Sequence, residues 1–450
     1  MSRAGRKKKK SFHISGVSLL IFVIVLALAV AGAVYFAGKT QQAPSSEPDP
    51  VSTAAAVSKD EPKEQPSAKP SEPELPPKPT TAAVSLRCAG DIMAHQTQID
   101  AAKKSDDSFD FSEWFSLMQP YMDNCDLLLG NVETTFRGKG PYSGYPAFNS
   151  PDELFQTIVD TGIDVALMSN NHMMDSGFDG LLRDIELFRD KGVLTVGAQY
   201  PEDDKFVITE VDGVKIGIVA YTYETQTYQG MRTVNGYAIS KEREPYINSF
   251  GYQTTFDQDM ETIKKQMKLC REGGADVILL YMHWGEEYQI EANPWQRKMA
   301  GILADGGADI IIASHPHTIQ EIEAIEVQND DGSTKTVPVF YSIGNFISNQ
   351  RSETLSGYPN ARYTADAMLA CVDFTYSFED KRIIDIDYGC IPAWVERYKK
   401  DGKYKYYVLP LTEGFENSNI LAESGHLSDA KQALADIINN IGGEDLIWQK

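Results

Sequence analysis

The stretch DVALMSNNHMMDSGFDGLLRDIELFRDK, Asp164 to Lys191, decides the fold class. It opens with an apolar run of strand length and closes with an amphipathic helix from about Phe178 to Lys191. Between them stand Asn170, Asn171 and His172, three side chains able to hold a metal or move a proton. A polar cluster at the C-terminal end of a buried strand is where open α/β sheets build their sites.

Working outward, the same alternation repeats. AVSLRCAG (Ala83 to Gly90), CDLLLG (Cys125 to Gly130), DVILLYMHW (Asp276 to Trp284) and DIIIAS (Asp309 to Ser314) read as strands. Helices are predicted near Phe111 to Tyr121, Pro151 to Thr161, Phe256 to Glu272, Pro294 to Asp305 and Leu427 to Ile441. A hairpin is predicted around Val207 to Tyr221 with its turn at Asp212-Gly213, and strands dominate Val337 to Cys390. The class is α/β, and no internal repeat is visible.

Five strand ends carry Gly90-Asp91, Gly130 to Glu133, Asn170 to His172, His283 to Glu286, and His315-Pro316-His317. Asp91, Glu133, Asn171, His283, His315 and His317 make six candidate metal ligands. Imidazole with carboxylate suits Mn, Fe or Zn, and six donors suffice for two divalent ions about 3.5 to 4 Å apart, as in phosphoester hydrolysis. His172 would then act as proton donor, with Asp175 orienting its ring. The cysteines, Cys88, Cys125, Cys270, Cys371 and Cys390, include no C-x-x-C pair for zinc or redox work.

At the other end of the chain, residues 1–15 hold Arg3, Arg6 and Lys7 to Lys10 with no acidic residue. The apolar run Gly16 to Phe36 that follows reaches roughly 31 Å as a helix, the thickness of a bilayer core. It predicts one transmembrane helix over 16–37, N-terminus in the cytoplasm and the rest outside the cell, the alternative being a signal peptide cleaved at the small residues Ala31, Gly32 and Ala33. Ten prolines among the forty residues from Gln41 to Thr80 predict a disordered stalk over 38–82, long enough to reach on the order of 120 Å. A folded domain over 83–395 and a C-terminal extension packing on it, 396–450, complete the expected organisation.

The chain's 450 residues carry 42 basic and 64 acidic side chains, a net charge of -22. Beyond Thr80 the balance is 31 to 57, or -26. That lacks the basic surface nucleic acid requires.

The set GDIM (Gly90 to Met93), GNVETT (Gly130 to Thr135), SNNHMMDSG (Ser169 to Gly177), HWGEEY (His283 to Tyr288), ADIIIASHPHTIQ (Ala308 to Gln320) and YSIGNF (Tyr341 to Phe346) resembles the bacterial capsule-synthesis CapA family. That family is similar to calcineurin-like metallophosphoesterases. The resemblance implies a four-layer α/β/β/α sandwich, Asn171-His172 as the metal-binding and catalytic pair, and His283, His315 and His317 as the later metal ligands. Asn131, Trp284, Glu286 and Asn345, within the same motifs, are expected to meet substrate. The sequence departs from ordinary metallophosphoesterases at Met93, where a ligand His is usual, and at Asn131, where a bridging Asp is usual; His95 is a possible replacement ligand and Glu133 a possible bridge.

With the apolar run as anchor, the resemblance implies a membrane-anchored extracellular protein of capsule or poly-γ-glutamate synthesis or export. Its expected partners are the anionic polymer and the membrane subunits of the polymer synthase. The alternatives are a stand-alone metallohydrolase acting on a phosphoester or amide, and a non-catalytic, metal-dependent polymer-binding scaffold.

Overall fold

The computed structural model describes residues 79–329 and 332–449. The expected basic tail, membrane helix and nearly all of the stalk lie outside the described residues. Among the described residues, no helix is long and apolar enough to cross a membrane.

The chain first builds βα units: β1 (Thr81–Ile92), α1 (Gln96–Ala102), α2 (Gln119–Met122), β2 (Leu127–Val132), α3 (Asp152–Asp160), β3 (Val165–Leu167), α4 (Gly177–Asp190) and β4 (Leu194–Val196). A second series follows: β5 (Phe206–Val211), β6 (Val214–Tyr223), the small pair β7 (Arg232–Val234) and β8 (Tyr237–Ile239), β9 (Ser249–Phe250), α5 (Phe256–Glu272), β10 (Val277–His283), α6 (Pro294–Asp305), β11 (Ile310–Ser314), β12 (Ile322–Gln328), β13 (Thr334–Phe340) and β14 (Asn345–Ile347). Three elements return to the first sheet, β15 (Asp366–Ser377), β16 (Arg382–Lys400) and β17 (Lys403–Pro410), before α7 (Asn419–Ser424) and α8 (Leu427–Ile441).

Two sheets result. One has the order β17-β16-β15-β1-β2-β3-β4 with β14 beside β1, and the other β12-β13-β11-β10-β6-β5 with β9 beside β6. Strands β1 to β4 run parallel, as do β6, β10, β11 and β13.

Side-chain alternation along each strand explains the layering. From β1, Val84, Leu86 and Cys88 enter a core shared with Ile216, Ile218, Leu279, Tyr281 and Ile312 of the second sheet. Leu128 and Ala166 face the other way, toward Leu154, Leu181, Ile185 and Phe188 of α3 and α4. On the far side, Val219, Leu280 and Ile311 pack on Met260, Ile263, Met299 and Leu303 of α5 and α6. Helices therefore flank a pair of packed sheets, in the order α/β/β/α.

Local chemistry sets the element ends. In α4, Leu181, Ile185 and Phe188 recur at helical spacing and are buried. Asn293 caps α6 by accepting from the backbone of Trp295 and Gln296, while the Gln296 side chain returns to Asn293 N at 2.9 Å. The expected hairpin is β5–β6, with Asp212 and Gly213 both left-handed at φ 48° and 85°.

The helix expected over Phe111 to Tyr121 does not form; only Gln119–Met122 is helical. Asp110 Oδ1 takes both the N–H and hydroxyl of Ser112, at 3.2 and 2.6 Å, and competes with a helical start. Phe111, Trp114, Phe115 and Met118 are all buried in successive tight turns, so the apolar pattern here reflects a wedge into the core. The expected boundary at 395 falls inside β16, and β17 extends the same sheet, so residues beyond 395 are woven into the first sheet.

Candidate metal centre

The parallel strands of both sheets end at one place. Asp91 lies near the end of β1, Glu133 just past β2, and Asn170 to His172 past β3. His283 ends β10, and His315 and His317 follow β11. Glycine is required at Gly90, where a Cβ would meet the carbonyl oxygen of Gly344 at 2.1 Å; this close backbone approach lets Asp91 N donate to Gly344 O at 2.9 Å.

Asp91, Glu133 and His317 each bring one donor atom within 4.8 Å of the others. His317 Nδ1 lies 2.9 Å from Asp91 Oδ2, and its Nε2 lies 4.0 Å from Glu133 Oε1. His283 Nε2 lies 3.6 Å from the same Glu133 oxygen and 2.9 Å from Asn171 Oδ1. That Glu133 oxygen is buried without a hydrogen-bond partner, as is His315 Nδ1. The His315 ring packs at a tilt near His283, with ring centroids 5.0 Å apart, and against Tyr223 at 4.5 Å.

An orphaned buried carboxylate oxygen is costly unless something positive completes it. Donors bound to one first-row ion at about 2.0–2.2 Å stand roughly 3–3.5 Å from each other, so these spacings fit a divalent ion after small side-chain shifts.

Burial, reinforced by Asp91, raises the Glu133 carboxyl well above its ordinary range. Burial, then neighbouring histidines, lowers His283 and His315, keeping both rings neutral and fit to ligate. For His317, burial pulls downward, but the hydrogen bond and charge of Asp91 outweigh it and raise the ring. Both His315 and His317 are left-handed, at φ 106° and 58°. Such strain in non-glycine residues costs on the order of 1–3 kcal/mol and gathers at functional sites.

The structure places the other expected site residues differently from one another. His172 Nδ1 sits 2.7 Å from Asp175 Oδ2, which also accepts from Phe148 N at 2.7 Å. The Phe148 ring meets His172 edge-on at 4.7 Å. Asn131 donates from Nδ2 to Asp91 Oδ1 at 2.8 Å and to Glu133 Oε2 at 3.0 Å, so it positions the two carboxylates and is itself buried. Trp284 is wholly buried in the outer core with its Nε1 donating to Tyr341 O, and offers no surface to a substrate in this structure. Asn345 is also buried and donates to the carbonyl oxygens of His317 and Thr364. Glu286 is exposed. Met93 is buried and meets Ser348 Oγ at 3.9 Å, while His95 Nδ1 accepts from Asn349 N at 3.4 Å.

Residues the motifs left unassigned complete the arrangement. Asn170 Nδ2 reaches Asn131 Oδ1 at 3.1 Å and Val132 O at 2.8 Å, and its Oδ1 accepts from His172 N. Tyr281, Tyr223 and Asn235 approach His283, His315 and His172. Asn170 was visible in the quoted run and Tyr281 lies within the β10 run that ends at His283; Tyr223 and Asn235 sit on elements without a polar cluster to mark them.

A two-sheet α/β protein with a buried Asp/Glu/His cluster at converging strand ends is one that can hold a divalent metal. The family described as "Bacterial capsule synthesis protein PGA_cap" matches residues 85–350, and the chain belongs to it. The chain is 27% identical over 246 residues to "Capsule biosynthesis protein CapA" of Bacillus anthracis, covering 52% of this chain and 54% of that protein. It is 28% identical over 275 residues to "PGA biosynthesis protein CapA" of Bacillus subtilis (strain 168), covering 59% and 64%. The matches thus span between about half and two thirds of these relatives' own length. A solved phosphatase structure from Mycoplasma pneumoniae aligns with a TM-score of 0.39 at 12% identity over 69% of this chain and 94% of that one, too distant to carry an argument.

Proposed function

We propose that this chain is a membrane-anchored, outward-facing protein of capsule biosynthesis that handles poly-γ-glutamate and holds a divalent ion at Asp91, Glu133 and His317. The names of its relatives and the apolar run at 16–36 support the setting. The observation that carries the site is Glu133 Oε1, buried, unpartnered and facing two imidazole nitrogens. Asn171, His283 and His315 supply the donors for a second ion. Bound metal would contribute Lewis acidity toward a carboxylate, amide or phosphoryl oxygen. The protein's own part is to fix the carboxylates through Asn131 and to present His172, oriented by Asp175, for holding or moving a proton at Nε2.

The His172–Asp175 pair favours a hydrolytic variant of this reading, since an imidazole held by a carboxylate is the usual form of a general acid or base. The test is a chromosomal Asp91→Ala, His317→Ala strain that keeps normal amounts of the protein. Loss of cell-associated polymer is expected; normal polymer would remove the site from this role.

A further inference from the structure

None of the cluster residues lines the cleft of about 560 Å³ bounded by β16, β17, α7, α8 and the segment after β14. Its volume lies in the range of ligand sites, about 300–1,000 Å³. Most charged groups along it are already paired: Arg362 with Asp436, Glu423 with Lys400 at 2.9 Å, and His426 with Glu396 at 2.8 Å. Asp429 lies in the first turn of α8, which favours a carboxylate, and Asp366 is buried, which raises it well above the carboxylate range and weakens its negative charge.

Arg351, Arg397 and Lys399 remain at one end. Arg351 Nη2 donates to Val395 O at 2.8 Å and Arg397 Nη1 to Asn349 Oδ1 at 3.1 Å, yet the Nε of each is buried without a partner. Among the described residues, the one carboxylate in ion-pair range of this end is Glu353, 3.8 Å from Arg397 and mostly exposed, while the buried Glu396, whose charge also reaches Arg351, is held by His426. Burial, then the charge of Arg397, brings Arg351 down to about 10. Tyr404 lies beneath both Arg397 and Lys399, at 4.8 and 4.9 Å, and holds the two cations over one ring. Adjacent, half-satisfied guanidinium groups in a protein of net charge -22 repel each other until an anion arrives. Their planar forks match a carboxylate.

We propose that this cleft is a metal-independent carboxylate-binding site, with Arg351, Arg397 and Lys399 receiving the anion. It goes beyond the function proposed above, because it needs no ion at the Asp91 cluster.

The test titrates citrate and a γ-linked glutamate tetramer into the purified full-length chain, stripped of metal with phenanthroline and then dialysed, so that the metal cluster cannot answer and no carboxylate chelator competes. At least one probe should bind, more weakly as salt rises. Arg397→Gln should lower that affinity about tenfold or more, Lys399→Gln less, and Arg397→Lys should recover part of it. Melting of each variant shows whether it is folded; if Arg397→Gln is not, Lys399→Gln carries the test. Citrate bound with the tetramer refused supports the cleft and counts against the polymer reading. Failure of both probes on folded wild type, or affinity unchanged in every folded variant, overturns the proposal.

Discussion

His283 Nε2, at the end of β10 in one sheet, lies 2.9 Å from Asn171 Oδ1, just past β3 in the other. A parallel contact joins His317 Nδ1 to Asp91 Oδ2, also at 2.9 Å. Both cross the line where the sheets meet, so the packing of the central core sets the donor spacing. Without an ion, Nε2–H of His283 donates to Asn171. An ion needs that nitrogen bare, and Tyr281 OH, 3.4 Å from Nδ1, gives the ring proton an alternative place.

His283→Ala and His317→Ala should therefore each lose metal. Wild type at metal about 100-fold over its dissociation constant gains about 2.7 kcal/mol, and the variants should not. Metal analysis and melting curves with and without Mn or Zn check this. Unchanged metal content in both variants would make these histidines structural.

Asn131 touches both carboxylates through one amide nitrogen. Asn131→Ala should weaken metal binding about 10–100-fold while the fold persists, the usual cost of losing a group that holds ligands in place. A titration showing the wild-type affinity would mean Asp91 and Glu133 hold their geometry unaided.

Asp184 of α4 gives a pH signature away from the cluster. It is buried, with one recorded donor, Phe136 N at 2.9 Å, and burial raises it well above its ordinary 3.8. For an acid whose folded value is raised, the stability it contributes is complete below 3.8 and is lost as pH climbs toward the folded value. Asp184→Asn keeps the acceptor and removes the charge. The variant should melt higher than wild type at pH 7 to 8, with the gain shrinking toward pH 4. A gain independent of pH, or a loss at pH 8, would contradict the assignment.

Much of this was legible because strand ends and polar clusters coincide in the sequence. Asp91, Glu133, His283 and His317 could be named from motif position alone, since parallel strands deliver their C-terminal residues to one edge. Trp284 misled because a motif neighbour of a ligand alternates to the opposite face of the strand, here into the core. Asn131 read as a substrate contact, yet its place between two carboxylates depends on the register of β1 against β2, which one chain's pattern does not state. The residues after 395 read as an extension because β16 and β17 are mixed in polarity, and the Arg351–Arg397 cleft exists only once those strands curl beside α7 and α8.

His172 is the residue whose role separates a metal-holding scaffold from an enzyme. Its ring is pinned by Asp175 at 2.7 Å and by the edge contact with Phe148 at 4.7 Å. On the hydrolytic reading proposed above, a ring held this firmly would serve as the proton donor. His172→Ala should keep wild-type metal content and lose about 10²–10⁴-fold of any hydrolytic rate on phosphodiester or γ-glutamyl substrates. Asp175→Asn should retain metal too, lose less rate, and shift the pH profile, because the ring loses its orienting partner rather than its proton. Metal content falling in His172→Ala would move the ring into the ligand set. Unchanged rates and cell-associated polymer in both variants would leave the His172–Asp175 pair with a packing role and favour the scaffold.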